Sequence, residues 1–482
     1  MRLASPRFDV LRDGPGAPRR ATDSLVSRGP RGPLGSAVHA VIGDGARGIR
    51  TRRRAEVPPD LGGVVELGSR FGTPFYLYDF SVLEERGLAL RASLPSRFEI
   101  CYAVKANPSL AVVALFAGLG LGADVASRGE LSLALAAGVR SDRVVCSGPA
   151  KSEADLLAAV EHRVLGINVE GPHELDRLQA LAVRLEVSIP VQLRLAVPWS
   201  AGETRQILGG AGAGKFGVNL ALAETLLGQR ERWPDLRWQG FQVFNASNVL
   251  SAERWVASAA RALDLSVELG RRYGVRLDVV DLGGGLGIPY SAREGVFDLE
   301  TFSRGMEALA RACDRIPELS ATRLLVEPGR YLVGPAGIYV ARVVEVKAAG
   351  ERTMVTLDGG IHHLLRPALL GEPHPVRLLA GDGRALGRAR RVTLAGPLCT
   401  SLDVLDAGAL LPLPQPGDLA VFLQAGAYGF TESMPLFLTH EWPAELGRRG
   451  EVVHALRRSP TVDELRRMQC VPHELVSPAG PT

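Results

Sequence analysis

The sequence predicts an α/β fold in which a closed (β/α)8 TIM barrel is followed by an antiparallel β-domain. Three observations predict it. From Phe98 onward, short β-rich runs alternate with longer helical patterns. Eight such runs follow one another over roughly 230 residues, the count of a closed parallel barrel rather than of a doubly wound open sheet. After Gly329 the helical texture gives way to strand-like runs broken by Gly and Pro.

The elements follow in order. Residues 1–56 are rich in Arg, Gly, Pro and Ser (GPGAPRR, SRGPRGPLGS) and contain no Lys. No periodic apolar pattern is read there, so a disordered extension is expected. It lacks the continuous apolar core of a secretory signal. Asp9, Asp13, Asp23 and Asp44 count against an organelle transit peptide. Residues 57–97 lead into the barrel, and FYLYD (75–79) is a strand that could join the second domain. The barrel is expected over 98–330, its strands in 98–105, 122–127, 144–148, 165–170, 190–196, 238–244, 277–284 and 323–328. Helical patterns at 129–138, 152–162, 172–184, 252–270 and 299–314 connect them. The β-domain is expected over 331–446 (GIYVARVVEVKAAG, TMVTLDGG, PVRLLAG, RRVTLAG, DLAVFLQAG), and 447–482 reads as a polar tail, helical or loose.

Composition narrows the function. The 482 residues are 46% hydrophobic and 22% charged, with a net charge of +4, which gives no case for a nucleic-acid partner. The longest apolar stretch, Leu110 to Ala123, is too short and Gly-rich to span a bilayer, so no membrane partner is expected. Cys101, Cys146, Cys313, Cys399 and Cys470 are odd in number and form no CxxC pair. Neither a disulfide framework nor a metal site is expected, and a reducing cytoplasm fits.

A barrel places its functional residues at the C-terminal ends of its strands. The unusual residues fall there. Lys105 closes the first run after CYAV; burial would lower its pKa and free the amine for a Schiff base, whereas a snorkelling surface lysine is the plain alternative. Asp124 lies in the second run and Glu130 just after it; Arg194 lies late in the fifth, and Gln242 to Ser247 end the sixth. VDLGGGLG (280–287) leaves the seventh through Gly283, Gly284 and Gly285, whose bare amides suit a phosphate, although a tight strand–helix turn would use the same residues. Glu327-Pro-Gly329-Arg330 closes the eighth. An acid there could keep a pyridine nitrogen protonated and the base could neutralise a phosphate; a structural ion pair at a turn is the alternative. In the β-domain, GPLCTSLD (396–403) presents Cys399, and GAYGF (426–430) presents Tyr428 in a Gly-flanked turn.

YAVKANP (102–108), DLGGGLG, EPGR (327–330), GPLC (396–399) and GAYG (426–429) stand in the order found in the fold-type III pyridoxal-phosphate decarboxylases, and the chain resembles that group of diaminopimelate, ornithine and arginine decarboxylases over about residues 70–440. The resemblance implies an alanine-racemase-like barrel, pyridoxal 5'-phosphate as cofactor and an amino-acid decarboxylase, a carboxy-lyase. Lys105 resembles the lysine that forms the Schiff base, and Glu327 the carboxylate on the pyridinium nitrogen. Gly283, Gly284, Gly285, Gly329 and Arg330 resemble the phosphate cradle, with Ser247 and Tyr428 as further contacts. Asp124, Arg194 and Glu130 match positions that support the ring. Cys399 resembles the acid that reprotonates the α-carbon. In the family it comes from the partner subunit, so a homodimer with shared active sites is implied.

Two departures matter. The family's stacking His on the sixth strand is replaced by Phe244, a ring that can also stack. Ala246 replaces a Gly, and Gln242 and Asn248 differ from the common forms. After Cys399, Thr400 and Ser401 replace the acids that hold a distal ammonium in diaminopimelate and ornithine enzymes, leaving Thr400, Ser401, Asp403 and Tyr428 as substrate-facing candidates. CTSLD resembles a secondary-metabolism branch acting on carrier-protein-tethered or conjugated amino acids. The substrate is therefore a small amino acid or a derivative on a carrier protein. A racemase on the same barrel and a non-enzymatic regulatory relative are the rival functions.

Overall fold

The computed structural model describes residues 32–42, 60–201, 214–350, 352–371 and 373–472. The chain enters through strand β1 (Phe75–Asp79) and then builds the barrel. Its strands are β2 (Phe98–Ala103), β3 (Gly122–Val125), β4 (Val144–Cys146), β5 (Gly166–Val169) and β6 (Ile189–Ala196), then, past a two-residue β7 (Val218–Asn219) on the flank of β6, β8 (Leu236–Gln242), β9 (Val279–Asp281) and β10 (Arg323–Val326). All eight run parallel, β5 pairs with β6, and β10 returns to β2, which closes the ring. The site residues lie in the last residues of the strands, as Asp124, Arg194, Gln242 and Asp281 do, or just past them, as Lys105 and Glu327 do, at the barrel's C-terminal rim.

The connecting helices start where their caps demand. Ser127, Ser152, Ser251 and Asp298 each accept a backbone N–H of the following first turn, and Ser152 with Asp155 forms a reciprocal capping box. The helix Ala252–Tyr273 buries Trp255, Val256, Ala259, Leu263 and Val267 on one face at helical spacing. Two buried glutamines, Gln192 and Gln239, pack against the start of β5. The Cβ of any residue at Gly166 would meet Gln239 Nε2 at 2.4 Å, so Gly166 makes room for them.

The second domain is a nine-stranded sheet: β1 with β11 (Gly337–Ala349), β12 (Arg352–Leu357), β13 (Val376–Leu379), β14 (Ala389–Ala395), β15 (Val404–Pro412), β16 (Leu419–Phe422), β17 (Ala444–Arg449) and β18 (Val452–Arg457). Most pairs are antiparallel, but β1–β17 and β12–β14 are parallel, so the sheet is mixed. FYLYD is the reason for one of them: β1 inserts between β11 and β17 from far away in sequence.

Two expectations are corrected. The extension 1–56 is not structureless throughout, because Pro33–Ile42 is a helix with Leu34 and Val38 buried. It packs on the helices Ala252–Tyr273 and Leu299–Cys313, and Asp264 accepts the N–H groups of Leu34 (3.3 Å) and Gly35 (3.2 Å) at its open end. Two buried apolar residues four apart are too few to stand out among Gly and Pro. The rest of 1–56 lies outside the described residues, apart from Gly32. The polar tail also holds a strand: β18 pairs with β17 across a turn at Gly450, and its polar flanks hide the alternation. A short helix, Val462–Arg467, follows. Among the described residues, no helix is long and apolar enough to cross a membrane.

Candidate active site

Lys105 sits on a single 3-10 turn directly after β2. Three contacts fix that turn. Ala103 N–H donates to Pro328 O at 3.1 Å, which ties the end of β2 to the end of β10. Tyr428 N–H donates to Ala106 O at 2.9 Å, and Asn107 Nδ2 donates to Gly426 O at 3.0 Å, which dock the β-domain loop onto the same turn. Gly329 completes the fit, since a Cβ there would meet the Ala106 Cβ at 2.8 Å. Three motifs that lie apart in sequence, YAVKANP, EPGR and GAYG, are thus joined largely through backbone.

Lys105 donates to Asp124 at the end of β3. Burial works against its charge, but Asp124, Glu327 and Tyr428 outweigh that and raise its pKa above the ordinary lysine value. This corrects the expectation of a lowered pKa: with carboxylates this close, their attraction exceeds the desolvation cost. Glu327, just past β10, is 2% exposed and accepts from Gln242 Nε2 at 2.7 Å and weakly from Ser147 Oγ at 3.4 Å. Burial, with Asp124 and Asp281 as neighbours, pushes its pKa well up. Burial raises the pKa of Asp281, at the end of β9, too, while its hydrogen bond with Glu327 works the other way on it.

A cavity of about 260 Å³ opens on this rim, with Lys105, Arg194, Phe244, Gln242, Lys215 and Glu327 on its walls. Phe244 forms one side, its ring centroid 6.0 Å from Lys105 Nζ and 5.9 Å from the Arg194 guanidinium. Arg194 is buried and pairs with Glu170 at 2.6 Å. Glu130 turns back on its own segment, accepting Ala126 N–H at 2.7 Å, and burial raises its pKa.

The glycine run forms the neighbouring wall. Gly283 and Gly285 have φ of 67° and 92°, and a Cβ on Gly284 would meet Glu327 O at 2.1 Å. The carbonyls of all three point into the protein: Gly283 O accepts Glu327 N–H, Gly284 O accepts Trp255 Nε1 at 2.7 Å, and Gly285 O accepts Val249 N–H at 2.8 Å. Ala246 packs its carbonyl against Gly285, and Asn248, itself at φ 54°, accepts Ile288 N–H at 2.9 Å. Arg330 is 5% exposed, and its partners are hydroxyls, Tyr290 Oη at 2.8 Å and Ser247 Oγ at 3.5 Å, with the guanidinium over the Tyr428 ring. Among the described residues it makes no ion pair. A buried guanidinium without a carboxylate is costly unless an anion completes it.

Sequence reasoning missed four residues here. Asp281 lay inside the quoted DLGGG motif, overlooked beside its glycines. Ser147 and Tyr290 carried only the signal of a polar group at a strand end or turn. Arg366 is 6% exposed, lies over the Tyr290 ring and comes no nearer to a carboxylate than 3.8 Å, from Glu432. An Arg inside the apolar run HLLRPALL was its signal.

Cys399, Thr400 and Ser401 are not brought to this cavity by their own chain. Cys399 is exposed on the loop between β14 and β15. Asp403 does not face a substrate. It is 3% exposed, its two oxygens accept Ile361 N–H and Leu398 N–H, each at 2.8 Å, and it thereby holds the cysteine loop against Gly360.

The donor set fits pyridoxal phosphate: an amine and a buried acid face one cavity beside an aromatic platform, and Asp124 Oδ1 and Gln242 Oε1 are buried there without a partner. An unpaired buried guanidinium and a glycine turn with its carbonyls averted suit the phosphate. Comparisons with known proteins agree. Residues 81–334 match the family model of the pyridoxal-dependent decarboxylases, pyridoxal binding domain. The chain is 31% identical to the L-glutamyl-(BtrI acyl-carrier protein) decarboxylase of Niallia circulans, over 84% of this chain and 96% of that protein. It is 33% identical to the diaminopimelate decarboxylase of Pseudomonas fluorescens, over 83% and 93%. The crystal structure of diaminopimelate decarboxylase from Helicobacter pylori complexed with L-lysine superposes with a TM-score of 0.75 at 28% identity, covering 84% of this chain and 98% of that one.

Proposed function

We propose, for a chain that belongs to the pyridoxal-dependent decarboxylase family, that its substrate is an amino acid tethered to a carrier protein through its side-chain carboxyl, with the α-amine and α-carboxylate free, and that Lys105, Glu327 and a partner subunit's cysteine do the chemistry. The protein is a pyridoxal-phosphate-dependent carboxy-lyase of an amino acid or amino-acid derivative. The observation that carries the residue assignment is the constellation at the barrel rim, with Lys105 against Asp124 and Glu327 buried behind them.

Lys105 would hold the cofactor's aldehyde carbon and give it up to the substrate amine. Asp124 would take and return the lysine's proton. Glu327, held by Gln242 and backed by Asp281, would keep the ring nitrogen protonated. Arg330, Ser247 and the glycine turn would hold the phosphate, and Phe244 would stack on the ring. When bound, pyridoxal phosphate supplies the electron sink for the pair released as carbon dioxide leaves. Cys399 would return a proton to the α-carbon. Because its own chain does not bring it to the cavity, it would act in the other subunit of a homodimer, in a reducing cytoplasm where its thiol stays free.

The loop beside Cys399 favours the tethered substrate. Thr400 and Ser401 are uncharged, and both oxygens of Asp403 are taken by backbone amides. No carboxylate of that loop is left for the distal ammonium of diaminopimelate, lysine or ornithine.

Borohydride reduction of the reconstituted enzyme is expected to fix the cofactor's mass on the peptide containing Lys105. A label elsewhere, or none, defeats the assignment. Carbon dioxide release is then measured with diaminopimelate, lysine, ornithine, arginine, glutamate and a carrier-tethered glutamyl group. Faster turnover of a free diamino acid than of the conjugate would reverse the substrate reading.

A further inference from the structure

We propose that the end of the β14–β15 ribbon remote from Cys399 is the docking surface for an acidic carrier protein. This rests on the carrier-tethered reading of the substrate. β14 runs out of an arginine-rich turn straight into the loop of Cys399, and β15, the edge strand of its sheet, returns alongside. At the remote end Arg388, Arg390 and Arg391 are all exposed. Among the described residues none of the three makes an ion pair. The acids nearby are already engaged. Asp382 and Asp418 hold Arg384, and Asp406, beside Arg391, accepts Gly408 N–H at 2.8 Å.

Apolar surface lies among these cations. Leu410 is 70% exposed and is the cross-strand partner of Arg391, so the two share one face of the ribbon. Leu413 and Leu386 flank it, 44% and 37% exposed. Arg390, paired with the buried Leu411, projects from the opposite face, so the ribbon end carries guanidiniums on both faces beside an exposed leucine, which suits a partner that wraps the edge with carboxylates around an apolar contact. Nucleic acid is disfavoured, since the patch has no aromatic ring on which a base could stack. The geometry also suits delivery. Four residues of β14 lie between Arg391 and the Gly396–Cys399 loop, about 16 Å at the rise of an extended strand. A carrier seated at the arginines could thus lay a flexible pantetheine-type arm along the ribbon toward the active site that Cys399 serves.

The test uses the full-length holoenzyme and one γ-glutamyl group, its α-amine and α-carboxylate free, in two forms: as a side-chain thioester on an acyl-carrier protein and as the corresponding N-acetylcysteamine thioester. For R388E/R390E/R391E, KM for the carrier form is expected to rise about tenfold or more, with kcat/KM for the small thioester within about twofold of wild type. Neutral R388Q/R390Q/R391Q should fall between. Added salt should raise the wild-type KM for the carrier form, lower that of the reversed variant and leave that of the neutral variant nearly flat. If the triple variant does not hold cofactor, single Arg388→Glu and Leu410→Asp must show the same split. Equal losses on both substrates, or no loss on the carrier form, overturn the surface while leaving the substrate reading intact. Wild-type enzyme that turns over the small thioester or a free amino acid but not the carrier form overturns the substrate reading and the surface with it.

Discussion

Glu327 shows how strongly one residue depends on its neighbours. Its carboxyl is buried beside Asp124 and Asp281, and those three acids would repel one another if all were charged. In the proposed reading, a protonated ring nitrogen beside Glu327 would relieve that repulsion. Glu327→Gln keeps the shape and removes the charge. It is expected to lower kcat roughly 100-fold, the loss typical of one oriented polar group in a dry site, while cofactor content stays near that of wild type. Rapid-quench kinetics with a cofactor-occupancy assay checks both halves. At Lys105 the residue identity was legible and its protonation was not. The sequence shows an apolar run ahead of the lysine, but Asp124 and Glu327 reach it only through the barrel's closure.

The element that sets the geometry is the glycine turn after β9. Its three carbonyls bond inward, and the Cβ of an alanine at Gly284 would have to displace the backbone of Glu327. Gly284→Ala is expected to cost about 1–3 kcal/mol of stability, as overpacking against backbone does, and to weaken cofactor retention. Thermal unfolding and dialysis against cofactor-free buffer measure the two effects. This turn was readable from three successive glycines. The eight barrel strands were readable too, because each is a short apolar run with a polar or Gly exit. The helix Pro33–Ile42 and strand β18 were not, since each depends on partners distant in sequence: Asp264 for the helix and β17 for the strand. Asp403 was misjudged for a related reason. Proximity to Cys399 suggested a substrate contact, whereas its hydrogen bonds go to Ile361 and Leu398.

Two predictions belong to the whole molecule. If active sites are shared across a homodimer, Lys105→Ala and Cys399→Ala homodimers are each nearly inactive. Mixing and reassociating them should restore about a quarter of wild-type activity, because half of the dimers are hybrids and each hybrid has one intact site of two. Absence of recovery would confine Cys399 to its own chain. The second concerns pH. His374, 2% exposed, has its pKa lowered to about 4 by burial, with Arg366 and Arg330 adding to the effect and its bond to Leu423 O opposing it. The folded value lies below the unfolded one of about 6.5, so the unfolded chain takes the proton first. Its contribution to stability is whole above the unfolded value and is lost as pH falls toward 4. Denaturant titrations should therefore show a slope between those values that is shallower in His374→Asn, and the imidazole resonance should titrate near pH 4.

The hydrogen bond from Tyr428 to Ala106 makes the two halves of the chain unequal as spare parts. A barrel grafted onto a foreign β-domain would inherit the lysine but not the clamp that holds its turn, unless residues 425–429 travelled with it. Chimeras between relatives should therefore be cut so that this short loop and the YAVKANP segment come from one parent.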